Sequence, residues 1–349
     1  MTYYDKLNKI LASTLEDKNR NLELAYLKET VKLAQIIIDN TPDIAKESFE
    51  EYVSLNDSIN IVGDFLYNLK DNYSSIYFNI LQEENDYNGK EEPSVEFVPF
   101  EGNDLSEVRS DGKVIISYQN NINDIYTIIH EITHKFSQQK YQNSTIKSFL
   151  GETSTIAMEF LMEDYLLNNT SYSKEEIKVR KQNRFANTYS DASAVLFEYT
   201  LLELYKKNGN ITKDSLLAYL NSLDKNSKEY EIFSVKGENY LNDIVNKGDL
   251  QFPIRQRYVI GTVLACDFNQ KQEASTIKNQ QLSYLIDILG HTDLNFEDDI
   301  RIIKGLDIPI FKNNNFEITD ESMQRITNNY KSETNDLLQK NNDKNKSYQ

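Results

Sequence analysis

Residues 121–141 read NINDIYTIIHEITHKFSQQKY, and they constrain this chain more than any other stretch. Ile125, Ile128, Ile129, Ile132 and Phe136 recur at helical spacing, with neither Gly nor Pro between them. The pattern predicts an amphipathic helix, for which Asn121 or Asn123 can supply the cap. Into this helix the chain places two of its three histidines, four residues apart, with a glutamate directly after the first. Positions i and i+4 project from one helix face, so His130 and His134 can reach a single cation while Glu131 sits beside it. A cation held this way also needs a third ligand from farther along the chain.

That ligand is expected from SFLGETSTIAMEFLMEDYLL, residues 148–167, a second helical pattern beginning a loop's length beyond His134. Glu152 lies near its start. Two imidazoles and one carboxylate leave a fourth position open for water, the ligand set of a catalytic rather than a structural zinc site. Zinc lowers the pKa of its water toward ~7, and the adjacent Glu131 is expected to act as general base on it. Glu159, seven residues after Glu152, falls two turns along the same face and can hydrogen-bond a ligand histidine. Upstream, KVIISYQ (113–119) is rich in β-branched residues and follows the turn-like Ser-Asp-Gly, which predicts a short strand leading into the histidine helix.

Elsewhere the chain reads as mostly helical. Residues 1–90 give the patterns YYDKLNKILASTL, LELAYLKETVKLAQIII and one long helix over INIVGDFLYNLKDNYSSIYFNIL. VEFVPF (95–100) and KVIISY (113–118) are the expected strands. After residue 121, breaks are expected at Asn168–Ser171, Lys207–Asn210, Lys247–Asp249 and Leu289–His291. His291, in the turn-like Leu-Gly-His-Thr-Asp, is expected to be no ligand. The organisation expected is an N-terminal helical region over 1–90, a catalytic region over 91–340, and a polar tail over 341–349 that reads as disordered.

Composition excludes several functions. A net charge of −17 argues against binding nucleic acid or an anionic membrane and favours attraction of basic peptides. The single cysteine, Cys266, rules out an internal disulfide framework and suits a reducing compartment. MTYYDKLNKILASTLEDKNR has charges throughout, and no run approaches a membrane span, so a cytoplasmic protein is expected.

Four segments resemble one known family, the oligoendopeptidase F-like branch of the thimet oligopeptidase (M3) zinc peptidases. NDIYTIIHEITH (123–134) is similar to that family's Asn-Asp-Val-x-Thr-Leu-x-His-Glu-x-Gly-His. FLGETSTIAMEFLMEDYLL (149–167) resembles the segment bearing its third ligand. YVIG (258–261) is similar to a tyrosine-containing motif on a late helix, and YLIDILGHTDLNFEDDIRIIKGLDI (284–308), followed by a long polar helix, resembles its C-terminal end.

The resemblance implies a mainly α, multi-helix zincin-type metallopeptidase fold with a small β-sheet beside the HExxH helix. It implies one Zn2+ per chain on His130, His134 and Glu152, Glu131 as general base, peptides as substrates, and Tyr258 as a hydrogen-bond donor to the oxyanion. Several departures stand out, among them a His134-to-Glu152 spacing shorter than the family's and a shortened N-terminal half before the histidine helix. Thr133 occupies the usual Gly position, and GDLQFPIRQRYVIG lacks the histidine and further tyrosines expected before Tyr258; Arg255 or Arg257 are the cations nearest that place in the sequence. Two other functions fit the same motif: another gluzincin-class peptidase, such as an aminopeptidase or proteolytic toxin, and a peptide-binding relative that keeps zinc without catalysis.

Overall fold

A computed structural model describes residues 2–42, 45–69, 71–87, 89–102, 106–109, 111–136, 145–270, 311–312, 315–316 and 318–347. It is mainly helical with small sheets. The chain divides into two compact units, and each gathers segments distant in sequence.

One unit comprises Ile44–Arg184 and Leu264–Asn314. It contains α3 (Leu55–Leu69) and α4 (Asp71–Gln82), which pack on each other. Where the sequence pattern predicts one long helix, the structure has these two. The Phe78 ring approaches α3 closely at Gly63, where a Cβ would lie 2.6 Å from its Cζ. The hydroxyl of fully buried Tyr77 also donates back to the carbonyl of Ile59 at 3.1 Å.

A hairpin follows, β1 (Glu84–Tyr87) antiparallel to β2 (Lys90–Pro93). Its turn contains Gly89 at φ +82°, a left-handed conformation that costs glycine little. The sequence reading missed both strands, although Asn88-Gly89 is a hairpin signal. Next comes a three-stranded sheet in the order β3 (Val95–Pro99), β5 (Val114–Tyr118), β4 (Glu107–Val108). The expected strands are β3 and β5, paired in parallel from Val95 opposite Val114 to Pro99 opposite Tyr118. Val114 and Ile116 are fully buried on one face of β5. Lys113, nearly buried, joins hairpin to sheet by pairing with Glu92 at 2.5 Å and Glu96 at 2.8 Å.

From β5 the chain turns through Asn120, at φ +57°, into α5 (Asn123–Phe136). Asp124, 1% exposed, holds that turn by accepting the backbone N–H groups of Gln119 at 2.9 Å and Asn121 at 3.3 Å. Burial raises the Asp124 pKa, and those backbone donors oppose the rise. Of the two cap candidates, Asn121 supplies the side-chain bond, accepting the Asn123 N–H at 2.9 Å. Helices α6 (Thr145–Asn169) and the start of α7 (Lys174–Asn208) also belong to the unit. Rings join the layers: Tyr73 of α4 to Phe136 of α5 at 5.8 Å, and Phe65 of α3 to Tyr165 of α6 at 5.5 Å.

The other unit comprises Met1–Asp43, Phe185–Val263 and Asn315–Gln349. It holds α1 (Tyr3–Glu16), opened by a Thr2/Asp5 capping box, and α2 (Asn21–Asn40). The remainder of α7 is followed by α8 (Lys213–Ser222), α9 (Lys228–Glu231), a π-helical turn at Ile232–Lys236, and α10 (Gly237–Lys247). Helix α11 (Phe252–Gln270) starts against Glu198, whose buried carboxylate accepts the N–H groups of Gln251 at 2.9 Å and Phe252 at 2.7 Å. Helix α12 (Asp320–Ser347) continues to Ser347, within the polar tail that composition reads as disordered. Its Tyr330 hydroxyl bonds that of Thr41 at 2.6 Å. Among the described residues no helix is long and apolar enough to cross a membrane.

Candidate metal centre

The centre is built on α5. Its apolar face, formed by Ile125, Ile128, Ile129 and Ile132, is fully buried, which fixes the direction of the histidines one face over. Thr133 is also fully buried, and its hydroxyl donates to the Ile129 carbonyl at 2.6 Å, so this polar group is satisfied within its own helix.

One turn apart, Nε2 of His130 and Nε2 of His134 lie 3.2 Å from each other. Helix α6 packs on α5 and brings Glu152 to both: Oε2 is 3.3 Å from His130 Nε2, and Oε1 is 3.6 Å from His134 Nε2. These spacings can be tested against a cation. Zinc bonds of about 2.0–2.1 Å in tetrahedral directions separate neighbouring ligand atoms by roughly 3.3 Å. The two histidine nitrogens are already that close, each with one Glu152 oxygen near it, and the donor set suits a borderline cation. His130, His134 and Glu152 are therefore a group that could hold a metal ion.

Glu159, two turns beyond Glu152, is 3% exposed and lies with Oε1 2.7 Å from His130 Nδ1. An imidazole that donates from Nδ1 presents its Nε2 lone pair toward Glu152 and His134. Two residues absent from the sequence reading also meet Glu159. Arg180 donates from Nη2 to Oε2 at 2.6 Å, and Arg184 donates from Nε to Oε2 at 3.0 Å and from Nη2 to Oε1. The available signal was a basic i, i+4 pair in KEEIKVRKQNRF, but nothing in the sequence joined it to α6.

Charge and burial set the protonation of the cluster. Burial alone would lower the His130 pKa, yet its bonds to Glu152 and Glu159 raise it to about 10. For Glu152, burial pushes upward, but the charge of His134 and the bond from His130 bring it down to about 2. Glu159 is likewise held far below the ordinary carboxylate range, because Arg184 and Arg180 overcome its burial. Glu131, 7% exposed, is raised to about 7, mainly by burial. Such a carboxyl group exchanges its proton near neutral pH, as a general base requires.

Tyr258 is in the first half of α11 and belongs to the unit that comprises Met1–Asp43, Phe185–Val263 and Asn315–Gln349. Arg255 is engaged by Asp191 at 3.4 Å and Asp243 at 3.5 Å. His291 and the segment 284–308 fall outside the described residues.

Fold and cluster together define a mainly helical protein with a candidate metal centre preceded by a small sheet. The fold is similar to the crystal structure of a "putative peptidase" from Chlamydophila abortus, with a TM-score of 0.53 and 17% sequence identity. That match covers 96% of this chain and 55% of the other, so the chain spans little more than half the length of this structural relative. No family model matches the chain, and no curated protein does.

Proposed function

We propose that this protein is a zinc-dependent peptidase that hydrolyses internal bonds of peptides, related to the oligoendopeptidase F-like branch of the M3 peptidases. The observation that carries the reading is the convergence of His130 Nε2, His134 Nε2 and the Glu152 carboxylate, with Glu131 next to His130 on the same buried helix. Three protein ligands leave the fourth tetrahedral position for water, and zinc bound there supplies an acidified water and a Lewis acid for the peptide carbonyl.

The chain's own groups do the remaining work. His130 and His134 bind through Nε2, and Glu159 fixes the His130 ring by accepting from Nδ1. Glu131 takes the proton of the attacking water and delivers it to the departing amine nitrogen. Burial strengthens it as the base for the first transfer by raising its pKa to about 7, still low enough for the proton to pass on to the more basic amine. Tyr258 donates to the carbonyl oxygen as negative charge develops on it. The net charge of −17 draws basic peptides toward the protein.

A peptide mixture incubated with zinc-loaded protein, analysed by mass spectrometry beside the Glu131→Gln variant, tests the reading. Internal cuts by the wild type that vanish in the variant are expected. Cuts made equally by both, cuts at termini alone, or none from a protein that holds zinc would overturn it.

A further inference from the structure

Two glutamates on one face of α6 approach the histidines, and either could in principle ligate a cation. Their surroundings distinguish them. An ionised carboxylate offers about four lone-pair sites. In Glu159 all four are taken: Oε1 by His130 Nδ1 and Arg184 Nη2, Oε2 by Arg180 Nη2 and Arg184 Nε. Arg184 thus grips both oxygens with its planar guanidinium, a geometry that lysine cannot reproduce. Besides the two imidazoles, Glu152 receives the Thr155 hydroxyl at 3.3 Å among the described residues, so its oxygens remain available toward the histidine nitrogens.

Arg180, one turn before Arg184 on α7, adds a second contact to α5. Its guanidinium lies over the ring of Tyr126, 4.6 Å from the centroid, while donating to Glu159. Tyr126 stands one turn before His130 on α5 and is 1% exposed. A single side chain of α7 therefore touches α6 at Glu159 and α5 on the face that presents His130. Two guanidinium charges also offset the two carboxylates of Glu152 and Glu159, which burial would otherwise leave as uncompensated anions.

We infer that Arg180 and Arg184 are positioning residues of the metal centre: they saturate Glu159, which keeps it as the hydrogen-bond partner of His130 and reserves Glu152 as the carboxylate ligand. The inference rests on the cluster holding a metal, and it does not depend on peptide cleavage.

Arg184→Lys retains the charge and removes the two-pronged grip. Zinc affinity is measured by competition with a chromophoric chelator, and ligand geometry by the visible absorption of the cobalt(II)-loaded protein. Arg184→Lys should bind zinc about 10- to 100-fold more weakly and shift the cobalt bands. Glu159→Gln should lose a similar amount, and the double variant should be no weaker than Glu159→Gln, because the arginine acts through that carboxylate.

Zinc affinity within about threefold of wild type in Arg184→Lys, or losses that multiply in the double variant, would overturn the inference. If Arg184→Lys loses its near-ultraviolet circular dichroism, Arg180→Lys is read against the same limits. Loss of that signal by both variants would assign the arginines to the folding core, and this too overturns it. A protein that binds zinc in this pattern yet cuts no peptide refutes the proposed activity and leaves this inference standing.

Discussion

Nε2 of His130 lies 3.2 Å from Nε2 of His134 across one turn of α5. Two imidazole nitrogens that close, with one Glu152 oxygen 3.3 Å from the first and the other Glu152 oxygen 3.6 Å from the second, suit the ligand spacing of a tetrahedral cation. Helix periodicity brings the first two atoms together, and the packing of α6 on α5 adds the third.

Zinc binding should therefore separate from turnover. Glu152→Gln is expected to weaken zinc binding, while Glu131→Gln keeps zinc and loses about 100- to 10,000-fold in kcat, the usual worth of a general base. Metal content by mass spectrometry and steady-state kinetics on one peptide measure both. Full zinc occupancy with normal turnover in Glu152→Gln would remove this residue from the ligand set.

Tyr258→Phe keeps the ring and deletes only the hydroxyl. Loss of an oxyanion donor should cost on the order of 100-fold in kcat with little change in KM, since the bond is strong only in the transition state. A folded, zinc-bound variant with the wild-type rate would make Tyr258 a packing residue.

Glu198 gives the protein a pH-dependent stability remote in sequence from the histidines. Burial raises its pKa from 4.5 to about 7, against the opposing pull of the Gln251 and Phe252 N–H groups. The folded protein thus holds this proton more tightly than the unfolded chain does. Its contribution is full below about pH 4.5 and is lost as pH rises through about 7, a change on the order of 1–3 kcal/mol. Melting temperatures of Glu198→Gln should fall less between about pH 5 and pH 8 than those of the wild type. Equal slopes would show that Glu198 ionises without cost.

Charge should also appear in substrate choice. Basic peptides are expected to have higher kcat/KM than acidic ones of the same length, with the advantage shrinking as salt rises, because screening shortens the reach of a net charge of −17. Rates that do not depend on peptide charge at low salt would refute this.

What the sequence determined by itself is local. The isoleucine periodicity of α5, the i, i+4 histidines, the seven-residue interval from Glu152 to Glu159 and the β-branched run of β5 all act within a few residues, over which helix and strand geometry is fixed. They specify which side chains share a face. They do not specify which faces meet, and that was decided by tertiary packing. Helices α3 and α4 pack on each other where the periodicity suggested one helix. The carboxylate of Glu198 caps a helix that begins more than fifty residues later. The expected division at residue 90 follows the linear chain, whereas the two units assemble from segments interleaved along it. Arg180 and Arg184 show the difference most directly: their spacing is visible in the sequence, but their role arises only where packing brings two guanidinium groups against the buried carboxylate of Glu159.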